Sequence, residues 1–241
     1  MEKALPIKDS DNSPLRVDQV DFPTGQLGIS ICPGKYDDYA RSGPCHRDAR
    51  KDLTTAKNWG AKLVVTLLED QELEFLRVTH LPDEAKNLGL GWWRFPVPDE
   101  HPLEIVGHPI LDPQYDVWTL PNALLRRFLK VGGKVLIHCR GGLGRTGTLV
   151  SRLLIEEGHS PQEALAKTRL ARRGSVETKE QEQYLFNLPA RLAKKRKFLV
   201  ALDQISESDQ GYPLKTLFED PVNFDLPAWI KKVKALLPKE I

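Results

Sequence analysis

The chain is most constrained where an apolar, β-branched run, Lys134-Val-Leu-Ile137, meets His138-Cys-Arg-Gly-Gly-Leu-Gly-Arg-Thr-Gly-Thr148. The run reads as a buried strand, and Leu149 to Ile155 reads as a helix. A glycine-rich turn from strand to helix lets several backbone N–H groups point inward together, and the helix N-terminus adds its partial positive charge. Such a turn is a cradle for an oxyanion, and it requires the strand before it to lie inside a covered sheet.

Cys139 opens the cradle and Arg145 stands near its end, with glycine at Gly141, Gly142 and Gly144 between them. Glycine allows backbone to curl around a ligand at φ angles that other residues resist. Converging N–H dipoles, the helix end and a guanidinium all favour the thiolate, so the surroundings of Cys139 are those expected to lower a thiol pKa. Arg145 forks onto two oxygens of a phosphate and stabilises the charge that spreads in the transition state. Thr146 offers a hydroxyl to the sulfur when it leaves, and His138 is placed to orient rather than to act as a base. The phosphate-binding stretch expected is therefore Arg140, Gly141, Gly142, Leu143, Gly144 and Arg145.

This stretch resembles the Cys-x5-Arg signature of the protein tyrosine and dual-specificity phosphatase superfamily. Its Gly-Gly-Leu-Gly filling is similar to the subgroup around the kinase-associated phosphatase, which acts on cyclin-dependent kinases. Rhodanese-type loops share only the cysteine and the loop length, low-molecular-weight phosphatases carry their cysteine near the N-terminus, and a structural glycine turn is the bland alternative. The resemblance runs from about Gly25 to about Leu192. It implies a metal-independent phosphomonoesterase that works through a phosphocysteine intermediate, with a phosphoprotein, such as a kinase, as substrate. Two other readings stay open. Arg140 makes the pocket doubly basic, which also suits a phosphoinositide; a pseudophosphatase that docks a kinase is the third, against which the intact Cys139, Arg145 and Asp99 argue.

The leaving oxygen needs a proton, and a carboxylic acid on a separate loop is the usual donor. Asp99 is expected to serve, then to act as base. Pro96-Val-Pro-Asp99 resembles the superfamily's general-acid loop, and its strand is expected beside the cysteine strand. Glu100, His101, Asp112 and Asp116 are the alternatives, and Asp99 as a mere turn cap is another. The resemblance also implies that Gln181 positions the hydrolytic water, although in Thr178-Lys-Glu-Gln181 it is equally the third residue of a capping box. Arg172 and Arg173 are expected near the mouth.

Strands at Gln26 to Ile31, Ala61 to Leu68 and Leu90 to Phe95 alternate with helices at Arg47 to Trp59, Glu69 to Arg77 and Leu81 to Leu88. A further helix is expected from Asp112 to Lys130, started or kinked by Pro121, and two more open at the boxes headed by Ser160 and Thr178. The fold class is α/β, a single domain whose mostly parallel, twisted central sheet carries helices on both faces, with an extra C-terminal helix. The boundaries expected are an N-terminal arm at 1–24, the catalytic domain at 25–200, and an extension at 201–241. That extension holds an amphipathic helix from Pro227 to Leu237, whose default is to pack back on the domain.

The 35 basic and 33 acidic residues leave a net charge of +2, so no global field points to nucleic acid. The charge run from Arg191 to Lys197 reads as the solvated end of a helix. The Met1 to Pro14 stretch is polar, no apolar run approaches membrane-spanning length, and the reading is a soluble cytoplasmic protein without integral membrane association. Three cysteines make no disulfide framework, and neither they nor the six histidines show metal spacing, so no cofactor or metal is expected. Some members of the superfamily protect the nucleophile by a reversible disulfide; Cys32 is the candidate partner, with core packing as the other reading, and Cys45 is open. No sequence feature sets an oligomeric state.

Overall fold

The computed structural model describes residues 6–40, 42–103, 118–194 and 214–236. Along them run β1 (Asp18–Asp21), β2 (Gln26–Ser30), β3 (Tyr36–Asp37), β4 (Cys45–His46), α1 (Ala49–Trp59), β5 (Leu63–Thr66), α2 (Asp70–Phe75), α3 (Leu81–Asn87) and β6 (Gly91–Arg94). The second half supplies α4 (Thr119–Lys130), β7 (Lys134–His138), α5 (Gly144–Glu156), α6 (Pro161–Ala171) and α7 (Lys179–Lys194). Two terminal helices follow, α8 (Leu214–Glu219) and α9 (Leu226–Leu236).

One sheet has the order β1-β2-β7-β5-β6, parallel throughout except for the β1–β2 pair. β7 is central, as its apolar content on both faces demands. Val135 and Ile137 enter one core cluster with residues of α4, α5 and α7, while Leu136 enters another with residues of α1 and α3. This alternation of side chains is what a strand with helices on both faces requires. The expected α/β class and mostly parallel sheet are therefore present.

The register lines up the carboxyl ends of the parallel strands. Ser30 and Thr66 flank His138, and Arg94 faces Thr66 from the far side. Loops from four strands thus open at one edge, where ligands of open α/β sheets bind. The strand leading to Asp99 is not beside the cysteine strand: β6 pairs with β5, which separates it from β7. The ladder makes up the difference beyond the strand ends. Leu67 N donates to His138 O at 3.0 Å and Val97 N to Leu67 O at 3.4 Å, drawing the segment before Asp99 toward the cradle.

Several boundaries differ from the sequence pattern for physical reasons. Asp48 caps α1, accepting from Lys51 N at 2.9 Å, and Gly60 closes it at φ 104°, so the helix starts after Arg47. Pro121 falls in the first turn of α4, where its missing N–H leaves no bond unmade. The expected start of that helix at 112–117 lies outside the described residues, as do 195–197 of the charge run. Ser160 and Glu163 form the expected capping box, with Pro161 at the first helical position.

Much of the expected arm belongs to the domain. β1 pairs with β2, and Leu15, Val20 and Phe22 are buried. Arg47, whose side chain is buried against Asp52 at 2.8 Å, also donates to Ser13 O at 2.7 Å. At the other end Trp229, Ile230 and Val233 of α9 join the same core cluster as Cys139. Phe224 meets Trp93 with ring centroids 5.8 Å apart, and Phe218 meets Phe128 at 4.5 Å.

Candidate active site

α5 begins at Gly144, earlier than the sequence pattern suggests, so Arg145 and Thr146 lie in its first turn. The N–H groups of a first turn have no partner within the helix; here Glu177 takes that of Gly144 and Leu143 O that of Gly147, which leaves those of Arg145 and Thr146 for an anion. Gly142 adopts φ 67°, and a Cβ there would lie 2.1 Å from Ser30 O, so the position admits only glycine. Its N–H donates to Cys139 Sγ at 3.3 Å. Cys139 itself is buried at the end of β7.

Arg145 is buried and held by a residue the sequence reading missed. Its Nη1 and Nη2 donate to the two oxygens of Glu72 at 2.6 and 2.7 Å, and Nη1 also donates to Val97 O at 2.9 Å and Leu67 O at 3.2 Å. One edge of the guanidinium is therefore fixed by a forked ion pair. On the other edge Nη2 lies 3.0 Å from Asp99 Oδ1, while Nε is buried without a hydrogen-bond partner. Burial alone would depress the guanidinium pKa, but Glu72, Cys139 and Asp99 outweigh it and push the pKa up. No local pattern in Asp70–Phe75 announces this pairing, because Glu72 and Arg145 are 73 positions apart.

Asp99 is thus brought to the cradle, with its side chain more than half exposed. His101 Nδ1 lies 2.8 Å from Asp99 O, and Glu100 takes a positive φ of 62°. Asp112 and Asp116 lie outside the described residues. Gln181 is buried, with hydrogen bonds at both ends of its amide. Oε1 accepts from Glu177 N at 3.0 Å and Thr178 N at 3.3 Å, and Nε2 donates to His101 O at 3.2 Å. With Gln181 N donating to Thr178 Oγ1 at 3.2 Å, the capping box is present, and it ties the Asp99 segment to α7. Glu177 accepts the Gly144 N–H at 2.8 Å, a contact with no signal in the sequence.

The rim is set by three more pairings. Arg140 donates from Nε and Nη2 to Asp37 Oδ2 at 3.2 and 3.0 Å, and Lys35 Nζ reaches the same oxygen at 3.0 Å. Burial pushes the Asp37 carboxyl up, but Lys35 and Arg140 outweigh it and hold its pKa below the usual value. Arg172 donates to Gly141 O at 2.9 Å and to Asp18 at 2.6 Å, so it braces the cradle from behind, whereas Arg173 is exposed. Leu143 accepts from Gly147 N at 2.9 Å and Val176 N at 3.2 Å. Thr146 is buried and its hydroxyl has no partner.

His138 lies beneath the loop. Its Nε2 is 2.8 Å from Thr66 Oγ1, its Nδ1 is 3.4 Å from Cys139 O, and the Thr66 oxygen accepts from Trp92 Nε1 at 2.9 Å. Burial first, and the charge of Arg145 with it, lowers its pKa to about 4 against the partial offset of that carbonyl. The ring is neutral at pH 7, as an orienting group beneath a cation should be.

Cys32, Cys45 and Cys139 are all free and buried. Cys32 N donates to Arg140 O at 3.4 Å, and its own thiol donates to Pro33 O at 3.4 Å; burial drives its pKa well up. Among the described residues no group of three or more His, Cys, Asp and Glu side chains could hold a metal ion, and no helix is long and apolar enough to cross a membrane.

A family model described as the Swiss Army Knife protein, DSP-PTPase phosphatase domain, matches residues 43–185. Cyclin-dependent kinase inhibitor 3 of Mus musculus is 31% identical over 185 residues, covering 76% of this chain and 79% of that protein. A probable protein tyrosine phosphatase type IVA A of Dictyostelium discoideum is 36% identical over 102 residues, 38% of this chain and 61% of the relative. Among solved structures, kinase associated phosphatase with its catalytic-site cysteine changed to serine superposes with a TM-score of 0.62 at 24% identity, covering 75% of this chain and 97% of that one. Tk-PTP in its active form gives 0.51 at 30% identity, over 71% and 97%. The span that the family model matches carries β5, β6, β7, the Cys139 loop and α5, and on this ground, with the 31% identical relative beside it, the chain belongs to the DSP-PTPase family of phosphatase domains.

Proposed function

We propose that the protein is a cysteine-dependent protein phosphatase, acting on phosphotyrosine and also on phosphoserine and phosphothreonine, in a cytoplasm that keeps its three thiols reduced. One observation carries this reading. Arg145 has one edge locked by Glu72, and its Nε is left buried without a hydrogen-bond partner in the loop that begins at Cys139. An open donor of that kind calls for an anion.

In the first step the Cys139 thiolate forms an S–P bond as the P–O bond to the leaving group breaks, and protonated Asp99 gives its proton to the departing oxygen. The N–H groups of Arg145 and Thr146 at the start of α5 and the unpartnered Nε of Arg145 stabilise the equatorial oxygens. In the second step the Asp99 carboxylate takes a proton from water, whose oxygen bonds to phosphorus while Cys139 Sγ leaves. The unpartnered Thr146 hydroxyl is available to that departing thiolate. Gln181 has both ends of its amide occupied, so its part in this arrangement is to fix the acid segment, and water placement requires it to release His101 O.

Relatives named as cyclin-dependent kinase inhibitors make a phosphorylated kinase the first partner to test. The experiment is phosphate release by wild type and Cys139→Ser from p-nitrophenyl phosphate, from a phosphopeptide panel and from phosphoinositides. Turnover of phosphopeptides by wild type and none by the variant is expected. Turnover of lipid alone would transfer the chemistry to another substrate, and full activity in Cys139→Ser would refute it.

A further inference from the structure

We propose that Phe75, with the Arg140 guanidinium laid against its ring, forms an aromatic wall at the mouth of the cradle and makes the site prefer phosphotyrosine to phosphoserine and phosphothreonine. The inference rests on the phosphatase reading above and names its substrate class. α2 sends Glu72 to Arg145, and Phe75 follows three positions later, on the same side of the helix. Its neighbours Leu73 and Leu76 are buried in the cluster with α1 and α3, whereas Phe75 is 53% exposed. A single exposed apolar side chain is ordinary on a protein surface. Phe75 differs in what it touches.

Arg140 Cζ lies 5.0 Å from the Phe75 ring centroid, within cation–π range. Arg140 directly follows the nucleophile, and its guanidinium is no loose tail: both donors end on Asp37, a fully buried carboxylate that Lys35 also holds. The ring is thus pinned at the rim by a residue of the cradle itself. A phosphotyrosyl group with its phosphorus over the sulfur places an aryl ring at the rim, where phosphoserine and phosphothreonine have only a short aliphatic stem. Ring against ring adds contact that the smaller esters cannot make.

The test compares kcat/KM on matched phosphotyrosine and phosphothreonine peptides for wild type, Phe75→Ala, Phe75→Leu and Phe75→Tyr, with phosphoinositide vesicles as a further arm. The tyrosine-to-threonine ratio should fall about three- to tenfold in Phe75→Ala and Phe75→Leu, chiefly through KM, and recover in Phe75→Tyr. The leucine variant retains apolar bulk and keeps the test alive where alanine impairs folding. An unchanged ratio overturns the proposal, and so does a loss confined to vesicles, which would mark Phe75 as a membrane contact. A wild type inactive on every phosphopeptide defeats the phosphatase reading itself, a result separate from a ratio that does not move.

Discussion

Replacing Glu72 by glutamine tests whether the forked pair with Arg145 holds the phosphate clamp in place. The Arg145 side chain has no exposure and that of Glu72 is 18% exposed, so the pair is largely desolvated. Breaking a buried pair by removing one partner costs about 3–5 kcal/mol. Glutamine keeps one acceptor, solvent reaches the Glu72 end, and Arg145 retains the carbonyls of Leu67 and Val97. A loss of about 2 kcal/mol is therefore expected, seen as a fall in Tm of roughly 4–8 °C. Because the unpartnered Nε of Arg145 shifts with the locked edge, kcat/KM on p-nitrophenyl phosphate should drop by about ten- to a hundredfold. Urea denaturation and steady-state kinetics read the two effects. Combining the change with Arg145→Ala then asks whether they share one pathway: in that background Glu72→Gln should add little. Wild-type kinetics in the single variant, or additive losses in the double, would refute the reasoning.

Asp99→Ala should lower kcat by about a hundredfold or more on phosphotyrosine peptides and less on p-nitrophenyl phosphate, whose leaving group needs less protonation; equal losses on both would count against Asp99 as the acid. His138 gives a pH signature. Its pKa is about 4 in the folded chain against an ordinary 6.5, so below that value the unfolded chain takes up a proton that the folded chain refuses. Its contribution is complete above about pH 6.5 and is lost as pH falls toward 4, by up to about 3 kcal/mol. Urea denaturation at several pH values should show a shallower loss in His138→Asn than in wild type; parallel curves would exclude the buried imidazole as the cause.

What was legible in the sequence was local. Cys139, Arg145 and the glycines between them are neighbours on the chain, and the boxes at Ser160 and Thr178 are closed by residues three positions away, so pattern alone locates them. The alternation of apolar runs likewise yields the sheet and its two helical layers. The site's supports were not legible, because each joins distant segments. Glu72 is one acid in a charged stretch until folding sets α2 against the cradle, and Asp37 and Asp18 look like loop carboxylates until Arg140 and Arg172 reach them. Strand order fails for the same reason: β6 precedes β7 in the described chain, yet β5 lies between them, and hydrophobicity does not encode which strand a neighbour chooses. β1, only four residues long and exposed on alternate positions, leaves too weak a signal against its polar surroundings.

The packing of α8 and α9 bears on any attempt to shorten this chain to the part that matches its relatives. Cutting ahead of Leu214 retains every group around the sulfur, yet it uncovers Trp93 and Phe128 by removing Phe224 and Phe218. A fragment trimmed in this way would carry an oily scar beside an intact catalytic apparatus. Its loss to precipitation would then be mistaken for a chemical defect.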